Sequence, residues 1–289
     1  MVAEDPLLSM IEQTARQFGY RCEVLGPDEV RLILDGDGFV MALANLRRIA
    51  AVEERDEWPA LVADHMSTGI AAFELDQESP IVYRDFDEVR ALVRTRLYPS
   101  GSPANGAVRR FIAPGLAQRV VFDSVNAVHA VTYDMLREWP IGERDLFALA
   151  EANVRADGRL EIQRADFADP LSEGLPISVV GGSEYATAQI LWLDRYPELL
   201  GAAGALFVIP TKRPFFTYPI NDGEALRAAA ALAGVAATGY ARLPWPVSHH
   251  VYRWNGRIEL MARTEVLGRK VDIEGTHEFF AMLDSLGGA

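Results

Sequence analysis

The sequence predicts an α+β protein. Segments with apolar residues at helical spacing alternate with pairs of short apolar strands separated by turn-forming residues. Near the C-terminus, Asn255-Gly256 lies between two such strands, and Asn-Gly is the strongest short-range signal for a β-hairpin. Because tight turns join antiparallel strands, we expect two α/β-sandwich-like units of mostly antiparallel hairpins packed with helices.

The first hundred residues begin with a predicted helix. Leu7, Ile11 and Ala15 share one helical face, and Gly19 follows as a stop signal. A later helix begins near Trp58-Pro59, since proline suits the first helical position. The other expected elements of this part are strands at 21–25, 30–34 and 39–43 and a helix over 85–97.

The stretch YPSGSPANGA, residues 98–107, is rich in proline, glycine, serine and asparagine, which favour turns and exposed connections. We therefore predict an N-terminal domain over 1–98, a linker over 99–106 and a C-terminal domain over 107–289. Within the last, the expected elements are strands at 109–113, 118–122, 127–132, 160–163 and 177–180, hairpins at 205–220 and around residue 255, and helices at 143–155, 183–196 and 223–235 and after Thr276.

Composition excludes several functional classes. The net charge of −13 opposes general binding to nucleic acid, because a negative field repels phosphate backbones. No segment has the roughly 20 consecutive apolar residues that a transmembrane helix needs. Residues 1–10 carry Glu4 and Asp5 and no basic residue, so we expect no secretory signal.

Cys22 is the single cysteine of the chain. One cysteine excludes an intramolecular disulfide and any zinc site built from several cysteines. We therefore expect a cytoplasmic protein without a metal or cofactor. The sequence gives no indication of the oligomeric state.

Gly181-Gly182 follows an apolar run and precedes a predicted helix, so it is a candidate phosphate-binding loop. The stretch has no third glycine and no lysine after the pair, and Glu184 would repel an anion from the first helical turn. A turn followed by a helix capped by Ser183 is the favoured interpretation. In the same way, LDGDG at 34–38 is interpreted as a hairpin turn, because the apolar strand after it breaks the pattern of a calcium loop.

The histidines are the natural acid–base groups near neutral pH. His249 and His250 are neighbours on a predicted strand, which places their side chains on opposite faces. His65 lies in an apolar helix stripe and His277 in the first turn of the last helix. His129 follows Asp123 and Ser124, the residue types of a serine triad, but the chain has no GxSxG motif.

Two loops combine aromatic and basic residues. PTKRPFFTYP at 210–219 joins two cations to three aromatic residues at a predicted hairpin, and PWPV at 244–247 is a stiff aromatic loop. A surface that contacts an acidic partner and a hairpin with a core-facing strand are both consistent with this pattern. The candidate binding residues of the chain are Lys212, Arg213, Phe215, Phe216, Tyr218, Trp245, His249 and His250.

A family resemblance emerges from the order of several motifs between about residues 93 and 262. RLYP leads to APGLAQRVVFDS and VTYDMLREWPIGERDLFALAEANV, followed by SEYATAQIL, GALFVIPTKRPFFTYPI and VYRWNGRIEL. This order resembles the YtpQ-like family of uncharacterised bacterial proteins. The resemblance implies a shared fold and supplies no catalytic residues. That family often has an acidic residue at the hairpin tip, where this chain has Lys212 and Arg213.

Three functions remain open at this point. The first is a non-catalytic cytosolic adaptor that binds another protein through its aromatic loops. The second is a hydrolase or transferase that pairs a carboxylate with His129, His249 or His250. The third is a small-molecule sensor, which a sizeable cavity would favour.

Overall fold

The structure is a computed structural model that describes residues 5–78, 85–103, 106–123, 128–167, 169–267 and 270–287. Within these residues the fold is α+β, as the sequence predicted. The chain divides into two compact units. The described residues of the first are 5–78 and 242–244, and those of the second lie within 85–123, 128–241 and 245–287.

The first unit packs three helices with a three-stranded antiparallel sheet in the order β1-β2-β3. Asp5 accepts hydrogen bonds from the backbone N–H groups of Leu7 and Leu8 and so caps the first helix. The core centres on Ile11, Leu32 and Met66. The elements are α1 (Pro6–Gln17), β1 (Arg21–Gly26), β2 (Glu29–Leu34), β3 (Asp37–Ala42), α2 (Ala44–Ala50), a 3₁₀ turn (Arg55–Glu57) and α3 (Trp58–Glu78).

The LDGDG stretch forms the hairpin turn between β2 and β3. Asp35 and Gly36 both have positive φ angles, 51° and 97°, and Leu34 pairs directly with Asp37. Two central residues with positive φ define the tight turn whose twist matches that of the flanking strands. The interpretation as a turn is confirmed.

The second unit contains two sheets. One has the strand order β4-β6-β5, with a further strand, β7, paired to β6. Its elements are α4 (Phe86–Val89), β4 (Val93–Pro99), β5 (Arg109–Ala113), β6 (Leu116–Asp123), β7 (Val128–Ala130), α5 (Tyr133–Glu138) and α6 (Glu143–Ala156).

The other sheet has seven antiparallel strands in the order β14-β13-β12-β10-β11-β9-β8. An alanine-rich helix packs on it, because small side chains let helix and sheet approach closely. The elements are β8 (Glu161–Arg164), β9 (Ser178–Gly181), β10 (Ala205–Val208), β11 (Phe215–Pro219), α7 (Ala225–Arg242), β12 (Val251–Trp254), β13 (Ile258–Leu267), β14 (Lys270–Gly275) and α8 (His277–Gly287), with 3₁₀ segments at Pro170–Ser172, Ala186–Arg195 and Pro197–Leu199.

The predicted helix over 85–97 is wrong. Only Phe86–Val89 is helical, and Val93–Pro99 forms β4, which pairs residue by residue with β6. The β-branched residues Val93 and Thr95 favour a strand, and pairing with β6 outweighs the apolar helical spacing. This pairing also corrects the predicted domain boundary at 99–106, since β4 belongs to the same unit as the strands that follow that stretch.

The segment after Gly181-Gly182 also differs from its prediction. It forms 3₁₀ turns over Ala186–Arg195 with a kink at Trp192, instead of an α-helix. Gly182 has a φ of +84°, which favours glycine, and the Ser183 hydroxyl accepts a hydrogen bond from Tyr185 N. The pair therefore makes a turn, as interpreted, while Glu184 precedes the 3₁₀ segment and is free to pair with cations elsewhere.

Candidate functional site

Three arginines face one another across the four-stranded sheet of the second unit. Arg96 on β4 is directly opposite Arg119 on β6, and Arg119 is in turn opposite Arg109 on β5. Directly opposed residues of antiparallel strands project from the same face, and like charges in that position destabilise a sheet. We call these three residues the arginine row.

Two members of the arginine row are deeply buried. Arg96 and Arg119 are each 7% exposed, and the Nε atom of each is buried without a hydrogen-bond partner within the described part of the chain. Arg119 Nη2 donates to the carbonyl oxygen of Ser102 at 2.8 Å. A buried charge with unused donors is costly, so the arrangement requires a reason other than stability.

Two tyrosine rings lie against these guanidinium groups. The Arg96 Cζ atom is 4.5 Å from the centre of the Tyr185 ring, and the Arg119 Cζ atom is 4.6 Å from that of Tyr98. The faces of aromatic rings attract cations, so these contacts offset part of the cost of burial. They supply no hydrogen-bond acceptor to the unused Nε atoms.

Lys212 brings a further positive charge to the same place. Its Nζ atom lies 5.3 Å from the centre of the Tyr98 ring. The turn between β10 and β11 holds it there, because Lys212 N donates to the carbonyl oxygen of Trp245 at 3.1 Å. Burial, and then the charges of Arg96 and Arg119, lower the pKa of Lys212 to about 8. The arginine row and Lys212 together form what we call the cation cluster.

Glu184 is the carboxylate that pairs with the cation cluster among the described residues. Its Oε2 atom is 3.8 Å from Arg96 Nη2, and its other oxygen pairs with Arg213. Its side chain is 53% exposed, so solvent screens both interactions. A second carboxylate, that of Asp123, interacts with the Tyr185 hydroxyl. Burial, followed by this interaction, raises the pKa of Tyr185. Positive charge remains in excess, and the cluster is chemically suited to receive an anion.

The two adjacent histidines line a separate pocket of about 400 Å³. Their rings are 4.3 Å apart and both precede β12, so the prediction that they occupy opposite faces of a strand is wrong. The Tyr240 ring contacts that of His249 at 4.6 Å. The wall of the pocket comprises Pro99, Ser100, Gly101, Ser102, Gly115, Tyr240, Val247, Ser248, His249 and His250.

His250 is held as a neutral hydrogen-bond donor. Its Nδ1 atom accepts a hydrogen bond from Thr264 N at 3.1 Å, which leaves the proton of the neutral ring on Nε2. Burial, followed by the neighbouring His249 and Arg263, lowers the pKa of His250 to about 4. With one ring nitrogen engaged and the other protonated, His250 is a poor general base near pH 7.

His249, His65 and His129 lie in different surroundings. Burial lowers the pKa of His249, whose Nδ1 has no hydrogen-bond partner there. His65 Nε2 contacts the carbonyl oxygen of Ala42 at 3.0 Å, as expected of a structural histidine. The His129 ring stacks on Phe122, while Ser124 of the hypothetical triad lies outside the described residues. Neither His249 nor His250 pairs with a carboxylate among the described residues.

The aromatic residues of the β10–β11 hairpin are mostly unavailable to a partner. Phe215 is fully buried and Tyr218 is 3% exposed, both within the core. Phe216 is half-buried and its ring packs on that of Phe167.

Trp245 is 40% exposed and Arg213 is exposed beside Glu184. Of the eight predicted binding residues, the structure brings Lys212 to the arginine row and the two histidines together in their pocket.

The sequence did not predict the arginine row. A signal was present at Arg119, because this charged residue lies inside the predicted strand 118–122, whereas Arg109 begins β5 and Arg96 lies in a stretch that was predicted to be helical. Buried strand positions seldom carry arginine unless it is paired or functional. The sequence does not reveal the register of β4, β6 and β5, which places the three arginines opposite one another.

No group of three or more histidine, cysteine, aspartate or glutamate side chains within the described ranges is arranged to hold a metal ion. None of the helices in that part of the chain combines the length and apolar character needed to cross a bilayer.

Comparison of the chain with protein-family models, curated proteins and solved structures gave no match. The resemblance to the YtpQ-like family stays a prediction, since none of these comparisons bears on it.

Proposed function

We propose that the protein binds a small ligand bearing a carboxylate or phosphate group, which the cation cluster receives. One observation supports this proposal: Arg96 and Arg119 are directly opposed and nine-tenths buried, and their Nε atoms have no hydrogen-bond partner among the residues that the structure describes. An anion would supply both the missing acceptors and the missing negative charge. The planar guanidinium suits oxyanions because it donates two parallel hydrogen bonds.

This proposal develops the small-molecule sensor hypothesis. An enzyme that uses His249 or His250 is less well supported, because His250 has no free basic nitrogen and neither ring pairs with a carboxylate in the described chain. A cytoplasmic location remains part of the proposal and is supported by the single cysteine. The ligand is proposed to be a small molecule and not a nucleic acid, because the net charge of −13 repels an extended phosphate backbone.

Calorimetric titration with inorganic phosphate and with succinate tests the proposal. We expect Arg119→Gln and Arg96→Gln each to weaken binding at least about tenfold, since a hydrogen bond to a charged group contributes roughly 1.5–3 kcal/mol. Glu184→Gln should strengthen binding, because it removes the carboxylate that competes for Arg96. Arg137→Gln on α5 is the matched control, since Arg137 is exposed and paired with Asp134.

Thermal stability separates a binding role from a structural one. Removing one charge from a self-repelling cluster should leave the melting temperature unchanged or raise it, whereas a structural arginine would lower it. The proposal is wrong if neither anion binds the natural protein, or if Arg119→Gln binds them as well as Arg137→Gln does.

Protein binding is a second proposal, favoured by the exposure of one aromatic residue. Trp245 is 40% exposed at a φ of +52°, a conformation that non-glycine residues rarely adopt. A stoichiometric partner that is retained by the natural protein and by Phe216→Ala but lost on Trp245→Ala would support this role. Phe215 and Tyr218 are no longer candidates for it, because both are buried.

A further inference from the structure

We infer that Lys212 is a nucleophilic amine that condenses with the carbonyl group of a 2-oxo acid held by the cation cluster. The inference rests on the proposed anion site and names its substrate class. A 2-oxo acid carries its carbonyl carbon directly bonded to its carboxylate. A guanidinium that binds the carboxylate therefore brings the carbonyl to any amine close beside it.

The placement of Lys212 meets this requirement. Its Nζ atom and the Arg119 guanidinium carbon lie 5.3 Å and 4.6 Å from the centre of one ring, that of Tyr98. Arg96 is directly opposite Arg119 on the neighbouring strand. The Tyr98 ring thus contacts both the amine and the Arg119 guanidinium group that would orient the acid, while the Arg96 guanidinium lies over the Tyr185 ring.

The surroundings of Lys212 also favour its reactive form. An amine attacks a carbonyl only when it is unprotonated, and burial beside other cations is a known way to activate lysine. Burial and the charges of Arg96 and Arg119 lower the pKa of Lys212 to about 8. At pH 7.5 about a quarter of the side chains would be neutral, compared with roughly 0.1% of ordinary lysines.

The chemical step balances without any added redox partner. The Nζ lone pair adds to the carbonyl carbon and forms a C–N bond, while the carbonyl π pair moves to oxygen, which takes up the proton that the nitrogen releases. A proton from solvent then lets the hydroxyl of this neutral carbinolamine leave as water, which breaks the C–O bond and leaves an iminium ion. The carboxylate of the bound acid stabilises the positive charge of that ion.

Lys270 provides an internal control because the chain has two lysines. It is exposed on β14, far along the sheet order from the turn that holds Lys212. The two amines can be compared within one sample by peptide mapping. Differences in reagent concentration or reaction time then cancel.

The test is incubation of the intact protein with pyruvate and cyanoborohydride, followed by mass spectrometry of its peptides. Cyanoborohydride donates hydride to the iminium carbon and fixes it as a secondary amine. We expect Lys212 to be modified at least about tenfold more than Lys270, given the difference in neutral fraction. Arg119→Gln should reduce modification of Lys212, and acetone, which lacks the carboxylate, should modify it far less than pyruvate does.

Equal modification of Lys212 and Lys270, or equal reaction of Lys212 with acetone and pyruvate, would overturn the inference. Calorimetric titration of the same preparation with phosphate tests the anion site independently of the reactive amine. It therefore shows whether a negative result concerns Lys212 alone or the proposed function as well. If phosphate binds and Lys212 remains unmodified, the anion site stands and the reactive amine is wrong. If phosphate does not bind and Lys212 is unmodified, both are wrong.

Discussion

The side chain of Lys212 carries a charge that the folded state disfavours. Its pKa of about 8 lies below the value of 10.5 for an unperturbed lysine. The unfolded chain therefore binds this proton more tightly than the folded protein does. The resulting destabilisation is fully present below pH 8 and fades as the pH rises from 8 to 10.5, where both states become neutral.

Replacement of Lys212 by methionine should accordingly stabilise the protein. We expect Lys212→Met to raise the free energy of unfolding at pH 7 by about 1 kcal/mol, and to raise it less at pH 9.5, because the lost charge is then partly absent. Urea unfolding at the two pH values measures the difference. Lys270→Met, at an exposed position, should change little at either pH, and a less stable Lys212→Met protein at pH 7 would contradict the argument.

At the level of elements, β10 begins from a tight turn that depends on glycine. Gly201 and Gly204 bond to each other through their backbones, and Gly204 has a φ of +86°. A Cβ atom on Gly204 would lie 2.0 Å from the carbonyl oxygen of Trp254 on the neighbouring strand β12. Side-chain rotation cannot relieve that contact, because the opposing atom belongs to the backbone of a paired strand.

Two glycine substitutions separate this close approach from backbone strain alone. Gly256 also has a positive φ, +93°, but no atom lies within 4 Å of a Cβ placed there. We expect Gly256→Ala to cost about 1 kcal/mol from strain and Gly204→Ala at least about 3 kcal/mol. Urea unfolding of both variants tests this, and equal losses of stability would show that the contact with Trp254 relaxes.

Prediction of elements succeeded where local chemistry decided the outcome. The turn at Asp35-Gly36 and the hairpin tip at Asn255-Gly256 follow from residues that adopt positive φ readily. The prediction of a helix over residues 93–99 was wrong. The apolar spacing of this stretch fits a helix, but pairing with β6 makes it a strand. Strand pairing involves a segment distant in sequence, so a short window does not reveal it.

At the scale of the whole molecule, each of the two units has a hydrophobic core of its own. Among the described residues, the core cluster of the first unit runs from Leu7 to Ile70. The two core clusters around the seven-stranded sheet share no residue with it. A unit with a complete core of its own can fold independently. The chain is thus expected to contain at least one autonomous folding unit.

Expression of residues 1–84 tests this expectation. We predict that the fragment shows helical and strand circular dichroism and unfolds cooperatively in urea, with lower stability than the full chain because it lacks 242–244. A second fragment, 1–60, omits most of α3 and with it Met66 and Ile70, so it should remain unfolded. An unfolded 1–84 fragment would show that the first core needs the rest of the chain.

The sequence by itself determined the α+β class, most turns and strands, and the acidic, cysteine-poor character of the protein. Each of these depends on residue types within a few positions of one another. The tertiary structure decided the candidate site, because Arg96, Arg119 and Lys212 come from two strands and a remote turn. The register between strands and the burial that lowers the pKa of Lys212 exist only once the chain is packed, and no local pattern encodes them.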